Sequence, residues 1–457
     1  MGLTATIARL AASAPARCFP LVGAQAEEVA PWLRLDPLLA IVDSPRAADV
    51  LLVLGRSDDE MLRAAAAVHD AMSPPRGVVV WSPDGVAPGR WPSSDAVIVR
   101  EPGEIALTCR RLRDDLLGRR VTSSPDVLPD LDPAPWRGVG PFGQGGTGMT
   151  GGVPYGRPLA GRADDRDGLK LDQMLVRVGP FLPPFPPGLQ LDVKLQGDVI
   201  QEVTIPAAIA DAAGSSGGEA PLGAPGPRGH AARLAVAGDS PFTAALTRPV
   251  PIAELELARA RHHLAWLAEA LRVSGLEAYG LRVLKLAFGL DLESADSIDA
   301  LDRWLRRNVS LRWGTSHVGV VTGAQAEGLP GGPVVRASGD DRDARSLDPA
   351  YQRLGFEPVV RDEGDALARW RLRVAEARQS LQLAKRSGTS ESTPSGVAEG
   401  PRGPLAADAS PSAGLVALLP ELLAGMEWGD AVTTIVSLDV GVVEPSEQRA
   451  AAGAGPS

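Results

Sequence analysis

Residues 332–380 hold the most distinctive run in this chain of 457 residues. Its first part begins with small and apolar residues and ends with a run of charged ones, and an amphipathic helix is predicted over 365–385 from apolar periodicity. Within that helix Arg369, Arg373 and Glu376 follow one another at intervals of three or four positions. Residues so spaced are neighbours on a helix surface, so the stretch predicts a helix with charges on one face.

The order of residues in this run resembles the large subunit shared by respiratory complex I, the NADH:quinone oxidoreductase, and the nickel-iron hydrogenases. In that family a Gly-Pro pair precedes Arg-Ala-Ser-Gly, an aspartate-arginine pair, a Pro-Tyr turn and a long arginine-rich helix. Further blocks at 178–199, 256–267, 399–405 and 419–439 match in the family's order, so the likeness spans roughly 166–445. The positions that the resemblance marks as structural are Glu256, Arg259, His263, Arg336, Asp343, Arg369 and Arg373.

Local patterns predict several elements without the resemblance. Apolar and polar residues alternate over 189–195 and again over 199–205, which is typical of a β-hairpin. Helical periodicity also predicts amphipathic helices over 251–275 and 297–307.

The first 120 residues resemble the small, iron-sulfur-carrying subunit of the same machines. Apolar runs at 38–42, 50–54 and 78–81 alternate with helix-length stretches, which predicts an α/β layer. The predicted fold class is therefore an α/β, flavodoxin-like, small-subunit-like domain, followed by an α+β, mainly helical, large-subunit-like domain that begins with a β-hairpin.

The predicted boundaries follow from composition. Residues 1–120 form the small-subunit-like domain, 121–165 a Pro/Gly-rich linker, and 166–445 the large-subunit-like domain. Flexible insertions are predicted near 212–229 and 387–412, and a disordered tail over 446–457.

The metal ligands of these relatives are missing from the sequence. A tetranuclear iron-sulfur cluster needs about four thiolates at one site, and the chain has two cysteines, Cys18 and Cys109. Cys18 is a possible relic of one ligand. The resemblance to hydrogenases implies nickel on two Cys-x-x-Cys pairs, and the chain contains no such pair. No cofactor or metal is therefore predicted.

The quinone ligands that the resemblance implies are also replaced. In complex I a His-Pro-x-x-His loop on the first hairpin meets the quinone headgroup, whereas this chain has Leu-Pro-Pro-Phe-Pro-Pro at 182–187. Because proline fixes φ and lacks an N–H donor, we expect a stiff apolar bracket at this position.

Charge and hydropathy limit the partners. The formal net charge of −10 argues against nucleic acid, which is bound by clustered positive charge. The sequence has no run of eighteen uninterrupted apolar residues, so no membrane-spanning helix is predicted. Arg9 lies inside the first apolar stretch, which argues against a secretory signal.

Other motifs have simpler explanations. The glycine-rich run 142–152 lacks the flanking strand and helix of a phosphate loop and is predicted to be part of the linker. His262 and His263 are adjacent on a helix and point about 100° apart, which disfavours a shared metal. Asp341 and Asp343 could be catalytic acids, but the resemblance favours a structural ion-pair network.

Three functions remain open at this point. The first is a cofactor-depleted scaffold, peripheral on the cytoplasmic face of the cell membrane, that docks on antiporter-like ion-translocating subunits of a complex I-like or hydrogenase-4-like assembly. The second is an active NADH-quinone oxidoreductase subunit that still binds quinone. The third is a soluble regulatory or assembly protein.

Overall fold

The computed structural model describes most of the chain outside its amino-terminal segment, its two longest Gly/Pro-rich stretches and its carboxy-terminal tail. The described residues are 14–23, 26, 29–55, 59–82, 95–130, 160–164, 168–183, 185–206, 240–388, 391–394, 398–405 and 411–442.

The amino-terminal part contains a five-stranded parallel sheet. Its strands are β1 Ala16–Val22, β2 Leu39–Ile41, β3 Val50–Leu54, β4 Gly77–Trp81 and β5 Val97–Val99, in the order β2-β1-β3-β4-β5. β3 and β4 are buried along their whole length, which explains why they are unbroken apolar runs. The three predicted runs correspond to β2, β3 and β4, and the prediction lacks β1 and β5.

Helices cover both faces of this sheet. They are α1 Val29–Leu33, α2 Asp59–Asp70 and α3 Ile105–Leu117. Leu52 and Leu54 pack with α1 and α3 on one face, whereas Leu51 and Val53 pack with α2 on the other. Successive side chains of a strand point to opposite faces, so each strand contributes to both layers of the core.

The start of the predicted linker 121–165 packs against this α/β layer. Ser124 is buried, and its carbonyl accepts a hydrogen bond from Arg76 Nε at 3.3 Å. The Val127 N–H donates to Asp70 Oδ1 at 3.0 Å. Residues 121–130 are therefore attached to the sheet layer, and 131–159, which include the glycine-rich run, lie outside the described residues.

The carboxy-terminal part begins with a four-stranded antiparallel sheet. Its strands are β6 Arg162–Asp164, β7 Lys170–Val178, β8 Leu191–Gln196 and β9 Val199–Thr204, in that order. β8 and β9 are the predicted hairpin. Leu191, Val193, Ile200 and Val203 face a core formed with the last helices of the chain.

The rest of this part is mainly helical. Its helices are α4 Pro241–Thr247, α5 Ile252–Val273, α6 Glu277–Phe288, α7 Ala295–Arg307, α8 Val309–Thr315, α9 Gly323–Glu327, α10 Pro333–Ala337, α11 Pro349–Arg353, α12 Ala366–Ser387, α13 Ala413–Leu423 and α14 Trp428–Leu438. The predicted helices over 251–275, 297–307 and 365–385 are α5, α7 and α12. The two longest, α5 and α12, pack side by side, with the rings of Trp266 and Trp370 edge to face at 6.0 Å.

One predicted flexible segment is partly ordered. Within the predicted insertion 387–412, β10 Ala398–Glu399 and β11 Pro404–Leu405 pair antiparallel. Arg259 donates to the carbonyl oxygens of Glu399 at 2.5 Å and Gly400 at 2.7 Å, so an arginine of α5 holds this turn. The prediction is wrong for 398–405, because glycine and proline here form a packed turn. The predicted insertion 212–229 and tail 446–457 lie outside the described residues.

The two parts of the chain contact each other. Arg272 at the end of α5 donates to Asp43 Oδ2 at 2.6 Å, and Leu35 packs against the helical core. Across the described ranges, no helix has both the length and the apolar character needed to cross a bilayer.

Candidate functional site: a buried charge cluster

Charged residues that are distant in sequence meet between α5, α10, α12 and the β10–β11 pair. We call this group the buried charge cluster. Its members are Glu256, Arg259, His263, Arg336, Asp343, Arg345, Tyr351, Arg373, Glu376, Ser380, Glu399 and Asp439.

Arg336, on α10, is the centre of the cluster. Its guanidinium lies 2.9 Å from Asp343 Oδ2, 2.7 Å from Glu376 Oε1 and 3.1 Å from Glu399 Oε1, and none of these side chains is exposed. Burial opposes the charge of Arg336, but the three carboxylates outweigh that effect and raise its pKa. Arg336 and Asp343, two of the positions that the resemblance marks as structural, therefore form an ion pair.

A glycine allows the β10–β11 turn to approach Arg336. Gly332, immediately before α10, has φ of 94°, and a Cβ built on it would lie 2.1 Å from the carbonyl oxygen of Arg402. Only a residue without a side chain fits both the left-handed conformation and this contact. The approach places the Glu399 carboxylate 3.1 Å from Arg336.

Glu256, on α5, anchors the opposite side of the cluster. Its carboxylate accepts hydrogen bonds from Tyr351 Oη at 2.7 Å, Ser380 Oγ at 2.6 Å, Arg345 Nη1 at 3.3 Å and Arg259 Nε at 3.3 Å. Burial alone would raise the pKa of Glu256, but the two arginines and the two hydroxyls lower it overall. Glu256 is therefore held as a carboxylate.

His263 lies between Arg373 and Glu376. Its Nδ1 is 3.3 Å from Arg373 Nη1, and its Nε2 is 3.1 Å from Glu376 Oε2. A guanidinium can only donate, so Nδ1 must accept, and the proton of the neutral ring is on Nε2, facing the carboxylate. Burial lowers the pKa of His263 to about 3, despite the nearby Glu376, so the ring is neutral at physiological pH.

Asp439, which directly follows α14, connects the cluster to the last helix. Its carboxylate lies 3.0 Å from Arg373 Nη1, 3.2 Å from Arg402 Nε and 2.8 Å from His262 Nε2. Burial opposes its charge, but Arg402, Arg373 and His262 outweigh that effect and lower its pKa. His262 and His263 therefore face different carboxylates, and neither is placed to share a ligand with the other.

Arg369, one turn before Arg373, lies outside the cluster and has neutral partners. It donates to Ser437 Oγ at 2.7 Å and to the carbonyl oxygens of Gly364 at 2.7 Å and Gly319 at 2.9 Å. Burial lowers its pKa to about 9. The resemblance marks Arg369 with the others, but the structure gives it a separate role in joining three segments.

Glu399 differs from the other carboxyls. Burial and the nearby charge of Asp343 raise its pKa, although Arg336 and Arg345 act in the other direction. A cavity of about 200 Å³, lined in part by Arg345, Tyr351 and Glu399, reaches this edge of the cluster. The cluster thus contains one carboxyl that favours the protonated form more than a free glutamate does.

The Pro-rich loop that follows β7 is packed into the core. Phe185 is buried, and its ring centroid lies 5.9 Å from that of Trp428. Leu182 packs against the same apolar cluster. The described residues of 181–187 are all phenylalanine, leucine or proline. None of them has a histidine ring or another ionisable side chain that could donate a hydrogen bond.

Cys18 and Cys109 are neighbours, although 91 positions separate them in the sequence. Cys18 on β1 and Cys109 on α3 are buried in the same apolar cluster. A hydrogen bond with Cys109, together with burial, raises the pKa of the Cys18 thiol. Two cysteines do not supply the four thiolates of an iron-sulfur cluster, and the described residues contain no group of three or more His, Cys, Asp or Glu side chains suited to a metal.

The sequence motifs contain several cluster members that were not named as site residues. Arg345, Tyr351, Glu376, Ser380, Glu399 and Asp439 all lie in segments that resemble the family. Only their position in these motifs indicates that they belong to the site. Spacing along the chain does not show that Glu256, Glu376 and Glu399 lie in one cluster.

Residues 292–402 match the family described as respiratory-chain NADH dehydrogenase, 49 Kd subunit. A subunit of the NADH-quinone oxidoreductase of Rhizobium etli is 46% identical over 74 residues, which are 16% of this chain and 18% of that protein. A subunit of the chloroplastic NAD(P)H-quinone oxidoreductase of Sorghum bicolor is 28% identical over 170 residues, covering 28% of this chain and 43% of that protein. The predicted likeness to the complex I large subunit is confirmed.

The chain spans less than half the length of these curated relatives. Among solved structures, a chain from the membrane-bound sulfane sulfur reductase, an archaeal respiratory membrane complex, is similar with a TM-score of 0.43 and 17% identity. The similarity covers 60% of this chain and 98% of that one.

Proposed function

We propose that this chain is a redox-inactive scaffold subunit of a membrane assembly related to complex I or to hydrogenase-4-like complexes. In this role it is peripheral, lies on the cytoplasmic face, and docks on antiporter-like ion-translocating subunits. The observation that carries the proposal is the internal pairing of the buried charge cluster. Arg336, Asp343 and Glu376 have no exposed side-chain surface, so their charges join α10, the segment that follows it and α12, and are not directed at a substrate.

The loss of electron-transfer groups supports the same role. The whole sequence has two cysteines, and they face each other in the apolar core of the amino-terminal part. Phe185 fills the core at the position where the complex I family has its quinone-binding histidines. A subunit that lacks these groups still contributes to an assembly by binding other subunits through its surface.

The amino-terminal sheet supports a fusion of two subunits. Its parallel order, β2-β1-β3-β4-β5, is that of flavodoxin-like sheets, which is the fold expected from the resemblance to the small iron-sulfur subunit. The ion pair between Arg272 and Asp43 then joins two domains that are separate subunits in the relatives.

The test is purification of the tagged full-length chain from membranes of its native host, followed by mass spectrometry of the co-purifying proteins. The scaffold proposal expects antiporter-like membrane subunits in the complex. It also expects no stoichiometric iron, sulfide or nickel in the chain when it is purified alone. A reduced-cluster electron paramagnetic resonance signal from the isolated chain would refute it.

The same material distinguishes the other functions. Quinone reduction that depends on this chain would support the active-subunit hypothesis. Recovery of the chain in the soluble fraction with no membrane subunit would support the regulatory or assembly hypothesis.

A further inference from the structure

Helix α8 presents apolar side chains to solvent. Leu311 and Thr315, four positions apart, are buried and attach the helix to the core. Val309 and Trp313, also four apart, lie on the outer side and are 60% and 85% exposed. A tryptophan this exposed leaves a large apolar surface in water, and such surface marks an interaction site when polar residues surround it.

Unpaired cations lie beside these side chains. Arg307 ends α7 and Arg312 lies on α8, and both are exposed. Within the described part of the chain neither guanidinium has a carboxylate at ion-pair distance, whereas the neighbouring Arg306 is 2.9 Å from Asp302. The two free arginines therefore add positive charge around Trp313.

The surface continues onto α6 through stacked rings. Trp304 of α7 stacks on Tyr279 of α6 with ring centroids 4.3 Å apart, and the Arg282 guanidinium lies 5.3 Å from the centre of the Tyr279 ring. Arg282 and the exposed Lys285 also have no ion pair among the described residues. Aromatic rings and cations without ion pairs thus occur together on α6, α7 and α8, and we call Tyr279, Arg282, Lys285, Trp304, Arg307, Val309, Arg312 and Trp313 the α6–α8 surface.

We propose that the α6–α8 surface binds the headgroups of an anionic lipid bilayer. Free cations concentrated on one surface of a chain with net charge −10 complement a surface of opposite sign. Tryptophan and tyrosine have an apolar body and a polar tip, which suits the headgroup level of a bilayer. Mobile anionic headgroups can meet cations spread over three helices without a fixed pattern of partner carboxylates.

The inference goes beyond the scaffold role, because a scaffold held only by protein subunits needs no lipid contact. The experiment uses the full-length chain and flotation with vesicles of phosphatidylcholine alone or mixed with phosphatidylglycerol. We expect binding to the mixed vesicles only, weakened by added salt. The double variant Arg307→Glu/Arg312→Glu should bind at least about tenfold more weakly, because it replaces two cations of this surface with carboxylates that the anionic headgroups repel.

A matched control is the double variant Arg111→Glu/Arg248→Glu, which makes the same change in net charge at two exposed arginines outside this surface. Trp313→Ala should also weaken binding and reduce quenching of tryptophan fluorescence by brominated lipid. Leu347→Ala, at a side chain that is 83% exposed elsewhere, should do neither.

Equal loss of binding in both charge-reversal variants would overturn the proposal. It would show that the vesicles are attracted by positive charge anywhere on the chain and not by the α6–α8 surface. Absence of binding to the mixed vesicles would overturn it as well. If the Arg307→Glu/Arg312→Glu variant then lost subunits that co-purify with the wild-type chain, the surface would be a protein-docking face instead.

Discussion

The Nη2 atom of Arg336 lies 2.7 Å from Glu376 Oε1, and both side chains are fully buried. This contact joins the short helix α10 to the middle of α12, and Glu399 adds the β10–β11 turn at 3.1 Å from Arg336. Charges taken out of water require partners with good geometry, so this group specifies how three segments meet. Removal of one member leaves the others buried and uncompensated.

The variant Arg336→Met should therefore lower the free energy of unfolding by roughly 3–5 kcal/mol, the usual effect of breaking a buried ion pair. Arg369→Met should have a smaller effect, because Arg369 bonds to a hydroxyl and to carbonyl oxygens and leaves no carboxylate unpaired. Urea unfolding followed by circular dichroism measures both changes. The exposed Arg353→Ala serves as a control and should leave the unfolding midpoint near that of wild type.

An opposite result would change the assignment of the cluster. If Arg336→Met abolished a quinone-dependent activity while melting temperature and subunit assembly stayed unchanged, the cluster would act in chemistry. The active-subunit hypothesis would then replace the scaffold proposal.

Gly332→Ala should destabilise the carboxy-terminal part. The added Cβ would approach the Arg402 carbonyl oxygen to 2.1 Å, and the φ of 94° disfavours any side chain. The matched control is Gly323→Ala at the first position of α9, where no atom lies within 4 Å of the new Cβ and alanine favours the helix. Thermal unfolding should separate the two variants, and similar melting temperatures would show that the turn near Arg402 moves without cost.

Local elements could be predicted from the sequence, whereas most long-range contacts could not. The helices over 252–273 and 366–387 and the hairpin over 191–204 follow from apolar periodicity. β1 was not predicted, because its residues ARCFPLV include an arginine and a proline and show no regular alternation. The turn at 398–405 has the composition of a flexible segment, but contacts from Arg259 order it.

The candidate site shows the same limit. The resemblance supplied residues on separate segments, but it did not separate Arg369, with its neutral partners, from the ion-paired Arg336. The contact between Cys18 and Cys109 joins a strand and a helix that no local pattern connects. Such contacts depend on tertiary packing, which spacing along the chain does not encode.

The double variant Cys18→Ala/Cys109→Ala should retain assembly and any activity of the complex. Burial and the mutual hydrogen bond raise the pKa of the Cys18 thiol, and a protonated thiol is a poor nucleophile and a poor metal ligand. Native protein should accordingly react slowly with iodoacetamide, and unfolded protein rapidly. A loss of function at unchanged protein abundance would show that the pair has a chemical role.

The last prediction concerns the effect of pH on His263. The imidazole has its ordinary pKa of 6.5 in the unfolded chain, and burial lowers it to about 3 in the folded protein. Between these values the unfolded chain binds a proton that the native state does not bind. The stability associated with neutral His263 is therefore complete above pH 6.5 and decreases as the pH falls toward 3, by roughly 1.4 kcal/mol per pH unit.

His263→Gln removes this titration, while its amide can still donate toward Glu376 and accept from Arg373. Between about pH 7 and pH 5 the wild-type free energy of unfolding should decrease more steeply than that of the variant. Nitrogen chemical shifts of the native ring should show the proton on Nε2 across this range. Parallel stability curves, or a ring that becomes charged near pH 6 in the native protein, would contradict the neutral His263 between Arg373 and Glu376.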